Sequence, residues 1–389
     1  MTNEKRVPEL RFPEFSGEWE EKELSKIGSF TKGKLISKSD LSSTGHKCIL
    51  YGELYTKYGA LINEVYSKTE LKTKNLVKAQ YQDVLIPSSG ETSLDIATAS
   101  SLNTHEEVYL GGDINVITPS KDYNGNFLSL SINGKNKLKL SKYAQGKTVV
   151  HLYNSDIKKL RINFPTVEEQ KKISEFFSKL DRQIELEEKK LALLEEQKKG
   201  YMQKIFSQEL RFKDENGEDY PEWEEMTVEQ IIRTTSIRNL QISNSSIKKV
   251  GKFPVIDQGK EKIVGYSDEE NKVFSERKDI IVFGDHTTNL KYIDFPFIVG
   301  GDGVKLLFSN VVDMKYLYAI LDYNMIEQDG YKRHFSILKT KKLKMSKSYL
   351  EQKKIGSFSI IFDRKVINQQ YKIEKLNLIK KYFLNTLII

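Results

Sequence analysis

The five histidines and one cysteine, the side chains most specific to nucleophilic and metal chemistry, are scattered along the 389 residues. His46, His105, His151, His286 and His334 have no spacing that would gather them around a metal or beside a nucleophile, and Cys48, the single cysteine, reads as a small buried hydrophobe. The string "GSFTKGKL" fits G-x-x-x-x-G-K from Gly28 to Lys34, but Leu35 stands where a phosphate-binding loop needs Ser or Thr for magnesium; it reads as a strand followed by a turn. No Asn-Pro-Pro-aromatic, G-x-S-x-G or H-E-x-x-H string occurs. Asp285 and His286 are adjacent in "FGDHTTNL", which closes an apolar run and reads as a loop. These observations argue against a catalytic chain and leave recognition as the chemistry to explain.

Net charge is +8 with a pI near 9.0, which favours an anionic partner such as nucleic acid or a membrane surface. The positive charge is not spread evenly. Residues 168–199 carry a net −1 and residues 209–230 a net −7, which leaves +16 on the rest. Lysine runs such as "KNKLKLSKYAQGK" and "KRHFSILKTKKLKMSK" mix in Tyr, Phe, His, Gln and Ser, side chains that meet phosphates or bases. No window of about 18 apolar residues could span a membrane, and "MTNEKRVPELRF" lacks the apolar core of a secretory signal, so cytoplasmic residence is expected.

What must position these residues is written twice. "EQKKISEFFSKLDRQI" begins at Glu169 and "EQKKIGSFSIIFDRKV" at Glu351, an offset of 182. Ile173, Phe176, Leu180, Ile184, Leu191, Leu194, Tyr201 and Ile205 recur as Ile355, Phe358, Phe362, Val366, Ile373, Leu376, Phe383 and Leu387. Steps of three and four put each set on one face of a long helix, and the economical burial for both stripes is against each other, antiparallel. Polar residues break the rhythm at matching places, Glu187 and Lys198 against Gln369 and Lys380. They set the register of the pair or simply reach solvent.

A second duplication precedes each large domain: "ELRF" at Glu9–Phe12 returns at Glu209–Phe212, and the only tryptophans, Trp19 and Trp223, follow it as packing anchors. Inside the domains "DVLIPSSGET" resembles "DIIVFGDHTT". "YLGGDINVI" resembles "FIVGGDGVKLL", pairing Asp113 with Asp302, and "GKTVVHLYNSDIKKLRI" lines up with "GYKRHFSILKTKKLKM", pairing His151 with His334. The expected architecture is α+β: two mixed domains joined by two long antiparallel coiled-coil helices, an internal duplication with pseudo-two-fold symmetry. The expected boundaries are 1–165 for the first domain and its leader, 166–206 for the first helix, 207–348 for the second domain and its leader, and 349–389 for the second helix.

On this order of parts, and on "YGELYT", "GGDINV", "YAQGKTVVHLYNSDIKKL" and "EQKKISEFFSKLDRQIELEEKKL", the whole chain resembles the specificity subunit of type I restriction-modification enzymes. The resemblance implies two target recognition domains, each reading one half of a split, asymmetric double-stranded DNA site, with the helices fixing the gap. It also implies partners: two modification subunits that carry S-adenosylmethionine and methylate adenine N6, and ATP- and Mg-dependent restriction subunits. No cofactor, metal or membrane is expected on this chain. The second helix departs from the first in being less acidic and less regular, and no proline matches Pro165 before it. The main rival reading is a structural coiled-coil adaptor whose basic domains dock protein or membrane; a second, a stand-alone nuclease or methyltransferase, is disfavoured by the missing motifs.

The residues expected to touch DNA are polar groups in the aligned turns. In the first domain these are Ser88, Ser89, Glu91, Thr92, Gln145, Lys147 and His151. In the second they are Gln258, Lys260, Asp285, His286, Thr287, Lys332, Arg333 and His334. Arg333 has the fork geometry for guanine, and Gln145 or Gln258 the amide for adenine, each worth about 1–3 kcal/mol of discrimination.

Overall fold

The computed structural model describes residues 6–330 and 332–389. It divides into two compact units, Met1–Glu187 with Lys372–Ile389, and Glu188–Tyr371. The strands that position the candidate residues of the first unit are β1 (Glu20–Glu23), β2 (Gly28–Lys32), β3 (His46–Ile49), β4 (Val84–Pro87), β5 (Ser100–Leu102), β6 (Val108–Leu110), β7 (Ile114–Pro119) and β8 (Arg161–Phe164). Helix α1 (Gly125–Asn133) follows β7, and the long helix α2 (Val167–Phe206) follows β8. The second unit has β9 (Glu224–Thr227), β10 (Arg233–Thr235), β11 (Phe253–Ile256), β12 (Ile280–Gly284), β13 (Leu290–Ile293), β14 (Phe297–Gly300), β15 (Val304–Phe308) and β16 (Lys342–Met345). Helix α3 (Met314–Tyr323) follows β15, and α4 (Tyr349–Thr386) ends the chain.

The two domains share the central strands of both sheets. β7 lies antiparallel between β2 and β4, and β15 lies antiparallel between β10 and β12. β4 pairs with β5 as β12 does with β13. A second sheet is built on the parallel pair β3 and β6, matched by the parallel pair β11 and β14. Each domain is closed by its leader, β1 on β8 and β9 on β16. The apolar runs of β4 and β12 are buried throughout, as expected of strands covered on both faces. Gly28–Lys32 is strand β2, and Leu35 sits in the turn beyond it at a φ of 67°, so the string that imitates a phosphate loop is a strand and a turn.

In each unit the beginning of one long helix packs against the end of the other. In the first, Phe176 meets Phe383 with ring centroids 5.0 Å apart, Asp181 pairs with Lys380 at 2.6 Å and Glu187 with Lys372 at 2.5 Å. In the second, Tyr201 packs on Phe358 and Phe362, and Lys198 pairs with Asp363 at 2.7 Å. Rising numbers on α2 meet falling numbers on α4, so the packing is antiparallel. Of the stripe, Ile173, Leu180, Ile184, Ile205, Ile355, Phe362 and Leu387 are buried. Phe176, Leu191, Leu194, Phe358, Val366, Ile373, Leu376 and Phe383 are half-buried, and Tyr201 is exposed despite its ring contacts. Phe177, Met202 and Ile388 lie outside the stripe and are buried in the domain cores.

Both helices grip the domains through the same four contacts, one set in each unit. Arg11 of the first leader donates to Glu169 at 2.6–2.8 Å, and Arg211 of the second donates to Glu351 at 3.3–3.4 Å. Gln170 accepts the Asn124 N–H at the start of α1, and Gln352 accepts the Asp313 N–H at the start of α3. Phe12 packs edge-on against Phe176, as Phe212 does against Phe358. Finally Leu387 and Ile388 enter the core of the first domain, while Met202 and Ile205 enter that of the second. Both tryptophans are buried anchors, Trp19 on Phe127 and Trp223 on Tyr316 and Phe206.

Candidate nucleic-acid interface

In the first domain the candidates gather where β4 ends. The Ser88 N–H donates to the Asp113 carbonyl at 2.8 Å and its hydroxyl to the Asp113 carboxylate at 3.2 Å. Ser89 and Gly90 pair antiparallel with Val150 and His151, and the Ser89 hydroxyl lies 3.1 Å from His151 Nδ1. Gln145 and His151 exchange backbone hydrogen bonds, and the Gln145 amide donates to Asp156 at 3.0 Å. Thr92 caps a short helical turn by accepting the Asp95 N–H. Ser88 and Ser89 are therefore buried and spent on the turn itself, whereas Glu91, Thr92, Gln145 and Lys147 are exposed and His151 half-exposed. A cleft of about 630 Å³ beside this turn is lined by Leu35, Leu50, Tyr51, Lys38, Lys57 and Asp113 among others. None of the seven first-domain candidates lines it; Ser88 reaches it only through Asp113.

In the second domain the end of β12 is tied the same way. The Asp285 N–H donates to the Gly303 carbonyl at 2.7 Å, and its carbonyl accepts the His334 N–H at 2.8 Å and faces His334 Nδ1 at 3.1 Å. His334 Nε2 accepts the Asp329 N–H, which makes Nδ1 the protonated nitrogen. The Asp285 carboxylate accepts the Phe335 N–H. Gln258 accepts the His286 N–H at its side-chain oxygen, and the Thr287 hydroxyl and Asn289 amide at its carbonyl. Lys291, which burial pushes below the ordinary lysine pKa against the pull of Asp257, holds the Asp257 carbonyl next to it. Asp285 and His334 are buried, while Lys260, Lys332 and Arg333 are exposed and Gln258, His286 and Thr287 half-exposed.

These matching backbone bonds correct the sequence pairing by one residue. Ser88 bonds to Asp113 and accepts from the Leu152 N–H; Asp285 bonds to Gly303 and accepts from the His334 N–H. Asp113 is therefore equivalent to Gly303, both with positive φ, not to Asp302. His334 takes the place of the buried Leu152, and Arg333 that of His151. Matching letters align two histidines of different placement, since His334 and Leu152 are buried while Arg333 and His151 reach the surface.

A cleft of about 870 Å³ opens at this second turn, and of the candidates Asp285, His286 and Arg333 line it. Gln258, Lys260, Thr287, Lys332 and His334 do not. Asp302 of the repeated Gly-Gly-Asp turn, together with Arg238 and Lys305, which no sequence motif marks, completes its charged lining. Arg238 lies in the loop after β10 and Lys305 on β15, segments with no turn motif to mark them.

Residues 16–196 match the family model of the type I restriction modification DNA specificity domain. That match takes in most of the first domain and most of α2. With a TM-score of 0.72 and 17% identity, 98% of the chain superimposes on 99% of the type I restriction-modification S subunit from M. genitalium. A chain from a structure concerned with complex assembly and conformational transition of the type I R-M system matches at a TM-score of 0.50 and 13% identity, over 94% of this chain and 96% of that one. At these identities the likeness is one of fold, and it confirms the expected α+β pair of domains with long packed helices.

Against that family background the charges divide by role. Arg11 and Arg211 are consumed in the leader clamps and Arg277 stacks on Phe308 at 3.5 Å. Arg238 and Arg333 make no hydrogen bond or ion pair among the described residues, and both are exposed beside the second cleft. No group of His, Cys, Asp and Glu among the described residues would hold a metal ion, and no described helix is long and apolar enough to cross a membrane.

Proposed function

We propose that this chain is the non-catalytic, DNA-reading subunit of a type I restriction-modification complex, with each domain reading one half of a bipartite, asymmetric site. The observation that carries the reading is the duplication: one topology and one set of helix grips, repeated, present two polar turns whose exposed residues differ. A shared scaffold with divergent tips suits a protein that holds two readers at a set spacing and lets their targets vary. The domains are residues 1–165 and 207–348 and the spacer helices 166–206 and 349–389. Exposed or half-exposed groups at the turns, Glu91, Thr92, Gln145, Lys147 and His151 in one and Lys260, His286, Lys332 and Arg333 in the other, make the contacts, while buried Ser88, Ser89, Asp285 and His334 hold the turns in shape.

Two modification subunits, bringing S-adenosylmethionine, dock on the helices and leaders and methylate a flipped adenine in each half-site. Restriction subunits bring ATP and Mg. The test is to co-express the chain with its neighbouring modification subunit in a methylation-free host and map N6-methyladenine across the genome. Two short sequence blocks around an unspecified gap are expected. An unmethylated genome from an assembled complex would overturn the reading in favour of the adaptor.

A further inference from the structure

The two domains differ in one recognition chemistry more sharply than their shared topology suggests. Of the ten arginines, none lies between residues 12 and 160, so the first domain holds no arginine at its turn or its cleft. The second domain has Arg211, which its leader spends on Glu351, and Arg233, Arg238, Arg277 and Arg333. Arg233 is bonded to the Ile232 carbonyl and Arg277 is stacked on Phe308. That leaves Arg238 and Arg333, and both line the same cleft.

Arg333 is also held where a reader must be. The residue after it, His334, is 1% exposed and fixed at three atoms, its N–H and Nδ1 on the Asp285 carbonyl and its Nε2 on the Asp329 N–H. The residue after that donates its N–H to the Asp285 carboxylate. The backbone of Arg333 is thus anchored to the end of β12 while its guanidinium bonds to none of the described residues. Lys305 adds positive charge from the sheet, its ammonium 5.8 Å from the Phe335 ring, and Asp302 adds an exposed carboxylate. A free guanidinium offers a planar fork that matches O6 and N7 of guanine, and a carboxylate accepts from N4 of its cytosine partner. At the equivalent turn of the first domain the place of Arg333 is taken by His151, the place of Lys305 by Asn115, and the place of buried His334 by Leu152.

We infer that the two domains read their half-sites by different chemistries, and that the second recognises guanine through Arg238 and Arg333, with His334 as the positioning residue of Arg333. The inference rests on the DNA-reading function proposed above and adds the base and the side chains. Lysine cannot replace either arginine at a bidentate contact, because its single ammonium lacks the fork.

The experiment starts from the methylated motif of the unaltered complex and measures its binding to oligonucleotides in which single guanines of either half-site are replaced by 7-deazaguanine, which lacks the N7 acceptor. A loss of about tenfold or more is expected at a guanine of one half-site only. Arg333→Ala and Arg238→Ala complexes should lose sensitivity to that substitution, and their methylomes should accept other bases there while the other half-site stays intact. Arg333→Lys should behave like Arg333→Ala, and His334→Leu should blur the same position without touching the other half-site. Full affinity for every deazaguanine oligonucleotide would overturn the inference, as would variants that relax an A·T position or nothing at all. If a variant complex methylates no DNA, the deazaguanine series on the unaltered complex decides. Failure of the parent function reads differently, as an absence of any bipartite motif.

Discussion

Glu351 is fully buried and its carboxylate accepts from Arg211, from Trp223 Nε1 at 2.9 Å and from the Ser346 hydroxyl at 2.6 Å. Glu351→Leu should therefore cost about 3–5 kcal/mol, because it strands a mostly buried guanidinium, and the pair Arg211→Met with Glu351→Leu should cost less than Glu351→Leu alone. Urea unfolding of the two variants against the parent checks the order. The repeated letters "EQ" were legible in the sequence, but not their purpose. Glu holds the leader and Gln caps the first domain helix, and both roles are fixed by partners more than 30 residues away. The limit was sharper for the turns. Asp285 and His334 have the right types for base contacts, yet their burial assigns them to holding a turn, and Arg238 carries no local signal at all.

At the scale of the elements, the amphipathic rhythm marked both long helices and most of their shared seam, while strands of three to five residues gave no topology. The breaks in the rhythm had two open meanings, and three of the four positions are ion pairs: Glu187 with Lys372, Lys198 with Asp363, and Lys380 with Asp181. The last two are one contact written twice, since 181 and 198 become 363 and 380 at the repeat offset. They are not equivalent in energy. Lys198 also meets Asp322 at 3.1 Å, and although burial works against its charge, the two carboxylates outweigh it and raise its pKa. Lys198→Met should cost about 2–3 kcal/mol and Lys380→Met about 1 kcal/mol in unfolding experiments. The pH dependence has a definite sign. Burial already lifts the Asp363 carboxyl above its ordinary range, with Lys198 opposing. Removing Lys198 lifts it further, and a carboxyl whose folded pKa exceeds its unfolded one favours folding as it protonates. The deficit of Lys198→Met should thus be largest near neutral pH and shrink as pH falls through the raised Asp363 pKa, whereas an unchanged deficit would mean that Asp363 finds another partner.

For the whole molecule, the testable consequence of the proposed function is a distance. A helix gains about 1.5 Å per residue and turns about 100°, so four extra residues add about 6 Å and leave the seam only about 40° out of phase. Insertions of four residues after both Leu191 and Ile373, which occupy the same place in the two copies, lengthen both helices together and leave the Asp181–Lys380 and Lys198–Asp363 pairs within their own units. At about 3.4 Å per base pair, the unspecified gap in the methylated motif should grow by about two base pairs, with the two half-site sequences unchanged. An insertion after Leu191 alone lengthens one helix against an unchanged partner, so it should destabilise the complex instead of moving the gap. The matched pair tests separately the two properties that the proposed function assigns: a reading to each domain's turn, and the spacing of the readings to the helices. A doubly lengthened complex that still methylates at the original gap would show that the spacing is set elsewhere.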